Sequence, residues 1–437
     1  MVSVREGSQI RFSQLEVEMD FPLTMVPADQ RLSHWPMLLT IFLMVGSLPW
    51  HKVSTYWSQS QFQNTYFWPN MLGWTLLSPL LLCLLSGILA AICGHVRLHV
   101  SLLAEKIYGK WGAALVHLLL IVAAFAVVNQ TISSLTDSVM HMTNIPSNYQ
   151  LVVVGFFVCL FALPAYFGAT TFIAISMLWL PATIVMLTWL LNNEFTQNPI
   201  AHLAGAAPFD LTSWLSFQHD IVMQLLVFAF FAANMARFSE NAHEGARAGF
   251  FGLWVPTVLF VSIGLLLQLA VGEASLLALF RSVHGVYVAL GIATVGSMLI
   301  AQQGFYTATL SACSLFGTQY RGRWLYILAV LIGGGIVYSY WVNPIDITSW
   351  LNCLLSPLLS SLIVSFLLVK EKVNTKEVVP AVRWLLFLPL LVAVGANCVL
   401  PFDLFVQGLV LGAVCPLFFY VFRKHEAKDP LHRIIRK

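Results

Sequence analysis

Long apolar runs broken by short polar stretches fill this chain from Trp35 to Phe422. A helix rises about 1.5 Å per residue, so about 20 apolar residues cross about 30 Å of hydrocarbon. Twelve runs meet or approach that length. The first six are Trp35–Trp50, Asn70–Gly94, Gly112–Ser134, Leu151–Phe167, Thr171–Leu191 and Asp220–Arg237. The second six are Gly249–Val271, Val286–Phe316, Trp324–Tyr340, Ile347–Val369, Trp384–Leu400 and Leu404–Phe422. The fourth and fifth are parted only by Tyr166-Phe167-Gly168, the weakest separation in the series. The pattern predicts an all-α integral membrane protein with about twelve transmembrane helices.

Composition agrees. Of 437 residues, 59% are hydrophobic and 9% charged, against about 25% charged in a soluble domain. Charge placement then tests the count. With the N-terminus in the cytoplasm, Arg5, Arg11, Arg31, Arg97, Lys106, Lys110, Arg237, Arg247, Arg321 and Arg323 all fall in cytoplasmic segments. So do Lys370, Lys372, Lys376, Arg383 and the six basic residues of the tail. Only Lys52 and Arg281 fall outside, so 20 of the 22 basic residues lie inside, as the positive-inside rule expects. Removing one early helix would invert every later loop and destroy this split. The expected location is therefore the cytoplasmic membrane, multi-pass, with both termini cytoplasmic. The first 33 residues lack a basic segment followed by an apolar one, so insertion is expected to begin at the first span. The basic tail suits anionic lipid.

The chemistry inside the runs is uncharged. Asp137, Asp220, Asp346 and Asp403 lie near outer ends, and Glu105, Glu240 and Glu244 near inner ends. His117 is the deep ionisable group. Amides and hydroxyls dominate instead: Asn129, Gln130, Gln224, Asn234, Gln302, Gln303, Tyr306, Thr307, Thr309 and Asn352. A buried amide is costly unless paired. Asn129 and Asn352 read as interhelical glue. Gln302-Gln303-Gly304 reads as a cavity, because adjacent amides cannot face one neighbour and glycine permits close approach. Helix interruptions also mark transporter sites. Gly46-Ser47-Leu48-Pro49 breaks the first run, Gly291, Gly296 and Gly304 punctuate the eighth, and Pro181 and Pro357 lie in the fifth and tenth. The sixth run has neither Gly nor Pro.

Several chemistries are disfavoured. The seven cysteines all lie in apolar runs without a C-x-x-C pair, and read as small buried hydrophobes. His95 and His99 have i, i+4 spacing but little else nearby to hold a metal, and no metal site is expected. Asn129-Gln130-Thr131 matches a glycosylation sequon inside a span. No phosphate-binding loop, nucleophile elbow or zinc signature appears. The chain is not expected to be an enzyme, to carry a cofactor or to bind nucleic acid.

The order of features resembles the nucleobase–cation symporter family, in its cytosine permease branch. Val26-Pro27-Ala28-Asp29-Gln30-Arg31 is similar to the family's V-P-x-x-x-R lead-in. Ser101 through Gly109 is similar to its loop after the second helix. Phe167-Gly168, Ser176 and Pro181 look like its fifth-helix pattern, and Arg237 through Ala242 like the end of its sixth. Leu400-Pro401 to Arg423-Lys424 looks like its last helix. Together these span most of residues 24–424.

The resemblance implies a LeuT-type fold of five plus five helices in inverted repeat, then two C-terminal helices. It divides the chain into a cytoplasmic segment 1–33, a ten-helix core 34–370, two further helices 371–422 and a basic tail 423–437. It implies import of a nucleobase or related heterocycle by alternating access, with substrate among helices 1, 3, 6 and 8. The substrate-binding candidates are then Gly46 and Ser47 of helix 1, Ala124 and Val127 of helix 3, Gln224 and Phe228 of helix 6, and Gln302, Gln303 and Tyr306 of helix 8. In that register Ala124 and Val127 replace the family's usual glutamine and tryptophan, and Ile300 and Ala301 replace the hydroxyls that help hold sodium. The coupling ion is thus sodium or proton. The expected partners are a small-molecule substrate and the lipid bilayer. The alternatives are a carrier of amino acids or other polar metabolites within the same superfamily, and a transport-inactive sensor or scaffold.

Overall fold

The computed structural model describes residues 23–27, 31–46, 76–197, 211–271, 286–319, 321–341, 347–373, 384–399 and 404–426. Among them, thirteen α-helices account for almost all regular structure. They are α1 His34–Gly46, α2 Leu80–Val96, α3 Val100–Tyr108, α4 Lys110–Thr143, α5 Gln150–Phe167, α6 Ala169–Gln197 and α7 Leu211–Ala236. Then follow α8 Ala242–Val271, α9 Val286–Phe316, α10 Arg321–Trp341, α11 Ile347–Val373, α12 Trp384–Val399 and α13 Leu404–Glu426. Each of the twelve predicted runs holds one helix. The extra helix is α3, which the sequence reading left as a loop. On length and hydropathy of the described residues, Lys110–Thr143, Ser147–Phe167 and Ala242–Ile263 each suffice to cross a membrane, and the other apolar helices are shorter there.

The weakest predicted boundary stands. The α5 helix ends at Phe167, Gly168 takes φ +84°, and α6 starts at Ala169. That backbone region is open to glycine and strained for other residues. A similar device makes α3. Arg97 adopts the left-handed conformation at φ 60°, and the chain bends by 80° between α2 and α3. This separates His95 from His99. His95 is exposed at the end of α2, whereas His99 is buried past the bend. The two therefore share no helical face.

Helix packing repeats with a shift of five spans. Setting α3 aside, α1, α2, α4, α5 and α6 correspond to α7, α8, α9, α10 and α11. The pairings α2 with α8, α4 with α9 and α5 with α10 map onto themselves. The others come in related pairs. The α1–α8 contact is matched by α7–α2, α4–α10 by α9–α5, α4–α11 by α9–α6, and α1–α6 by α7–α11. This is the five-plus-five arrangement. The α2–α8 crossing is close because Ala90 and Ser86 leave no room for a Cβ on Gly249. Small residues let membrane helices approach in this way.

The last two helices pack on α11. Pro357, inside α11, has no N–H to give the carbonyl of Cys353, four residues earlier. Asn397 of α12 supplies the missing donor, with its Nδ2 2.9 Å from that carbonyl. On α13, Gly408 and Gly412 sit directly against Ser356, Pro357 and Ser360.

The cysteine expectation holds only in part. Cys83, Cys93, Cys313 and Cys353 are buried, but Cys159 and Cys398 are exposed. They lie on outward apolar faces beside exposed Phe156 and Val399, where a bilayer rather than protein is the natural neighbour.

Candidate functional site

The polar centre of the molecule is built on α9. One face of this helix meets α4 through glycine. A Cβ on Gly304 would collide with Val128 and would lie 3.3 Å from the carbonyl of Ala124. The next face meets α7. Gln303 is 2% exposed and its Nε2 lies 3.4 Å from the carbonyl of Phe231. One turn on, Thr307 accepts from Asn234 Nδ2 at 3.2 Å. Asn234 Oδ1 accepts the backbone N–H of Val100 at 2.9 Å. That bond serves one of the free N–H groups at the start of α3. Asn234 therefore ties α3, α7 and α9 together, a role its place in the sequence does not show.

The third face carries Gln302 and Tyr306, one turn apart. Gln302 is fully buried (0% exposed), and among the described residues neither its amide oxygen nor its nitrogen has a hydrogen-bond partner. Tyr306 is enclosed. Phe172 of α6 meets it edge-on, with ring centroids 5.0 Å apart. The Arg237 guanidinium donates to its hydroxyl at 2.7 Å. Arg321 lies over its ring at 4.9 Å from the centroid and donates to the carbonyl of Tyr166 at 2.9 Å. Sequence reading placed Arg237 at the cytoplasmic end of the sixth run and Arg321 after the eighth, but both are buried, at 0% and 3% exposed. The reason is local. The chain turns immediately after α7 and before α10, and these turns pack under α9, where aromatic faces and carbonyls receive a guanidinium.

One further hydroxyl belongs here. Ser176 stands one turn after Phe172 on α6, fully buried and without a hydrogen-bond partner among the described residues. Successive spans alternate in direction, so the fifth and eighth, α6 and α9, run antiparallel. Ser176 and Gln302 then lie on the same side of the Phe172–Tyr306 contact. Among the described residues, no aspartate or glutamate is buried.

The remaining candidates are placed as follows. Ala124 is buried at the α4–α9 crossing. Val127 is partly buried on the neighbouring face of α4. Phe228 is buried within α7 and packs edge-on against Phe231, at 5.4 Å. Gly46 ends α1 and faces another way, with the ring of Phe260 from α8 directly over its Cα. Ser47 and the side chain of Gln224 lie outside the described residues, as does the side chain of Asn352. Among the described residues Asn129 makes no interhelical hydrogen bond that supports its reading as glue. Its bond is to Ser133 of its own helix, at 3.4 Å, because residues four apart share a helical face.

No family model matches the chain, and no curated protein matches it by sequence. Solved structures do match. The nucleobase-cation-symport-1 family transporter Mhp1, closed with bromovinylhydantoin bound, is 14% identical with a TM-score of 0.69, covering 90% of this chain and 93% of that one. Inward-facing Mhp1 gives 13% identity and 0.64, covering 92% and 93%. The manganese transporter of Eremococcus coleocola gives 13% and 0.53 over 96% and 95%. A Na+-coupled sialic acid symporter in its outward-open state gives 12% and 0.52 over 92% and 93%. The chain therefore has the LeuT-type fold of Mhp1, the fold its order of sequence features implied.

Proposed function

We propose that this protein is a secondary active transporter that imports a nucleobase or related small neutral heterocycle by alternating access. The observation that carries the reading is the Gln302 amide, fully buried and without a partner among the described residues, on a helix at the centre of the fold. An unpaired amide in a dry interior is costly. A ligand that pairs with it removes that cost. A side-chain amide offers one acceptor and one donor side by side, which fits a ring edge bearing an adjacent donor and acceptor. The Ser176 hydroxyl adds a second uncommitted polar group. With no buried carboxylate among the described residues, the match is to an uncharged ring rather than a cation. The fold supports the same reading, since Mhp1 was captured with bromovinylhydantoin bound. The charge split of the sequence further supports both termini lying in the cytoplasm.

Uptake of labelled cytosine, uracil, hydantoin and hydroxymethylpyrimidine into cells expressing the protein tests this. Saturable uptake of at least one is expected, and Gln302→Ala should lower it at least tenfold with surface expression unchanged. Loss of one hydrogen-bonded group accounts for about 1–3 kcal/mol, enough for that factor. No uptake of any of the four, with the protein verified at the membrane, would refute the reading.

A further inference from the structure

One buried titratable group has no part in the site above. His117, in the first half of α4, is 2% exposed, and its Nδ1 has no hydrogen-bond partner among the described residues. It precedes Ala124 by seven residues, which is about 10 Å along the helix on nearly the same face. That face is the one pressed on α9, since Ala124 and Val128 line the space beside Gly304. The two helices run antiparallel. Beyond Gly304, Ser311 of α9 bonds Ser101 at 2.8 Å and Ser314 approaches His99 at 3.5 Å. Both partners belong to the segment that leads into α4. In this antiparallel register His117 stands at about the level of the Ser101–Ser311 pair. On the α9 face that comes round to it, Ala308 and Ala312 are small and buried.

No charge anchors this imidazole. The first half of α4 shares its core with α3, α7, α9 and α11. The ionisable groups those elements bring are His99 beside α3 and Glu105, Lys106 and Tyr108 on it, His219 and Asp220 on α7 with Arg237 after it, Tyr306 and Cys313 on α9, and Cys353, Lys370, Glu371 and Lys372 on α11. Among the described residues none of them bonds His117 or acts on its charge. Tyr108 is instead bonded to Ser361 at 3.0 Å, and Arg237 to Tyr306. A buried structural histidine ordinarily has its ring nitrogens satisfied, whereas Nδ1 here is open to accept a proton. An ionisable group at this depth is expensive and is kept where ions or protons move. Histidine is the side chain whose ordinary titration falls near neutral pH.

We propose that His117 is the proton-binding site that couples substrate movement to a proton gradient. The inference rests on the transport reading above. A proton added to Nδ1 makes an imidazolium, and α9 connects it to the substrate site, since this helix meets α4 through Gly304 and carries Gln302 on another face, so a shift of α9 on substrate binding changes how that charge is accommodated. The Ser101–Ser311 pair, and Ser314 beside His99, place exchangeable protons at about the level of His117 next to α3. Proton release and substrate release thereby act on one helix, α9.

The test uses the full chain in proteoliposomes, with the same four labelled heterocycles as probes. An imposed pH gradient, alkaline inside, should drive wild-type accumulation at least fivefold above equilibrium, and a sodium gradient alone should not. His117→Gln should abolish accumulation yet retain counterflow exchange, with a rate that no longer varies between pH 5.5 and 8. Accumulation by His117→Gln under the pH gradient would overturn the proposal. So would wild-type accumulation driven by sodium alone. Should His117→Gln and His117→Asn both lose exchange, wild type decides by whether the pH gradient drives it. Exchange without any pH effect sinks the coupling but leaves the transporter intact, whereas no exchange of any probe removes both.

Discussion

Tyr306 joins four helices through one side chain. Its ring takes Phe172 on its edge and Arg321 on its face, and its hydroxyl accepts from Arg237. Arg237 also lies over the Phe238 ring at 4.7 Å, so its charge is stabilised by aromatic faces as well as by the phenol. Tyr306→Phe keeps the ring and both stacking contacts but removes the acceptor. A hydrogen bond to a charged group contributes about 1.5–3 kcal/mol. The variant should unfold earlier in detergent by several degrees, while Tyr306→Leu, which also loses the stacking, should cost more. A Tyr306→Phe melting temperature equal to wild type would show that the phenol does not hold the guanidinium. The sequence made part of this cluster legible. Adjacent Gln302 and Gln303 stand out in an apolar run because amides are dear there. Arg237 and Arg321 did not stand out as buried, because arginine at the end of a span is also what an ordinary cytoplasmic loop looks like. Only the aromatic groups brought from α6 and α9 distinguish the two cases.

At the scale of the element, Pro357 and Asn397 form a matched pair. Proline withdraws a donor from α11, and an amide of α12 restores one to the Cys353 carbonyl at 2.9 Å. Asn397→Leu should leave that carbonyl unsatisfied and cost about 1–3 kcal/mol. Pro357→Ala gives α11 its own N–H back, so the double variant should recover most of the loss. Thermal denaturation of the four proteins provides the cycle, and strictly additive losses would show that the two residues are not linked. The run pattern located both helices but could not pair them. Periodicity reports which residues face inward, not which carbonyl lacks a donor. The α3 helix was missed for a related reason. Its nine residues carry Glu105 and Lys106 in a segment too short to span, and its start is secured by Asn234, distant in sequence. Helix lengths erred the same way. The third span was expected at Gly112–Ser134, but α4 continues to Thr143, since polar residues beyond the apolar run still prolong a helix.

For the whole molecule, the count of spans and the hand of the repeat are both fixed by an odd number of helices per half. Five spans in each half force the second half to enter the membrane from the opposite side, so corresponding helices run in opposite directions. The packing pairs related by five spans follow from that inversion, and α12 and α13 add a further crossing and return. An even total then puts the two ends of the chain on one side, and we propose from the 20-to-2 division of basic residues that this side is the cytoplasm. The orientation is open to direct test with single cysteines in a background lacking the seven native ones. Lys52→Cys should react with a membrane-impermeant maleimide in intact cells, since it is one of two basic residues assigned outside. Arg323→Cys, at the start of α10, should react only after permeabilisation. The reverse labelling would turn the molecule over. It would also require 20 basic residues to face the exterior, against the bias that sets membrane orientation, and no rearrangement within the helical core could restore the cytoplasmic termini.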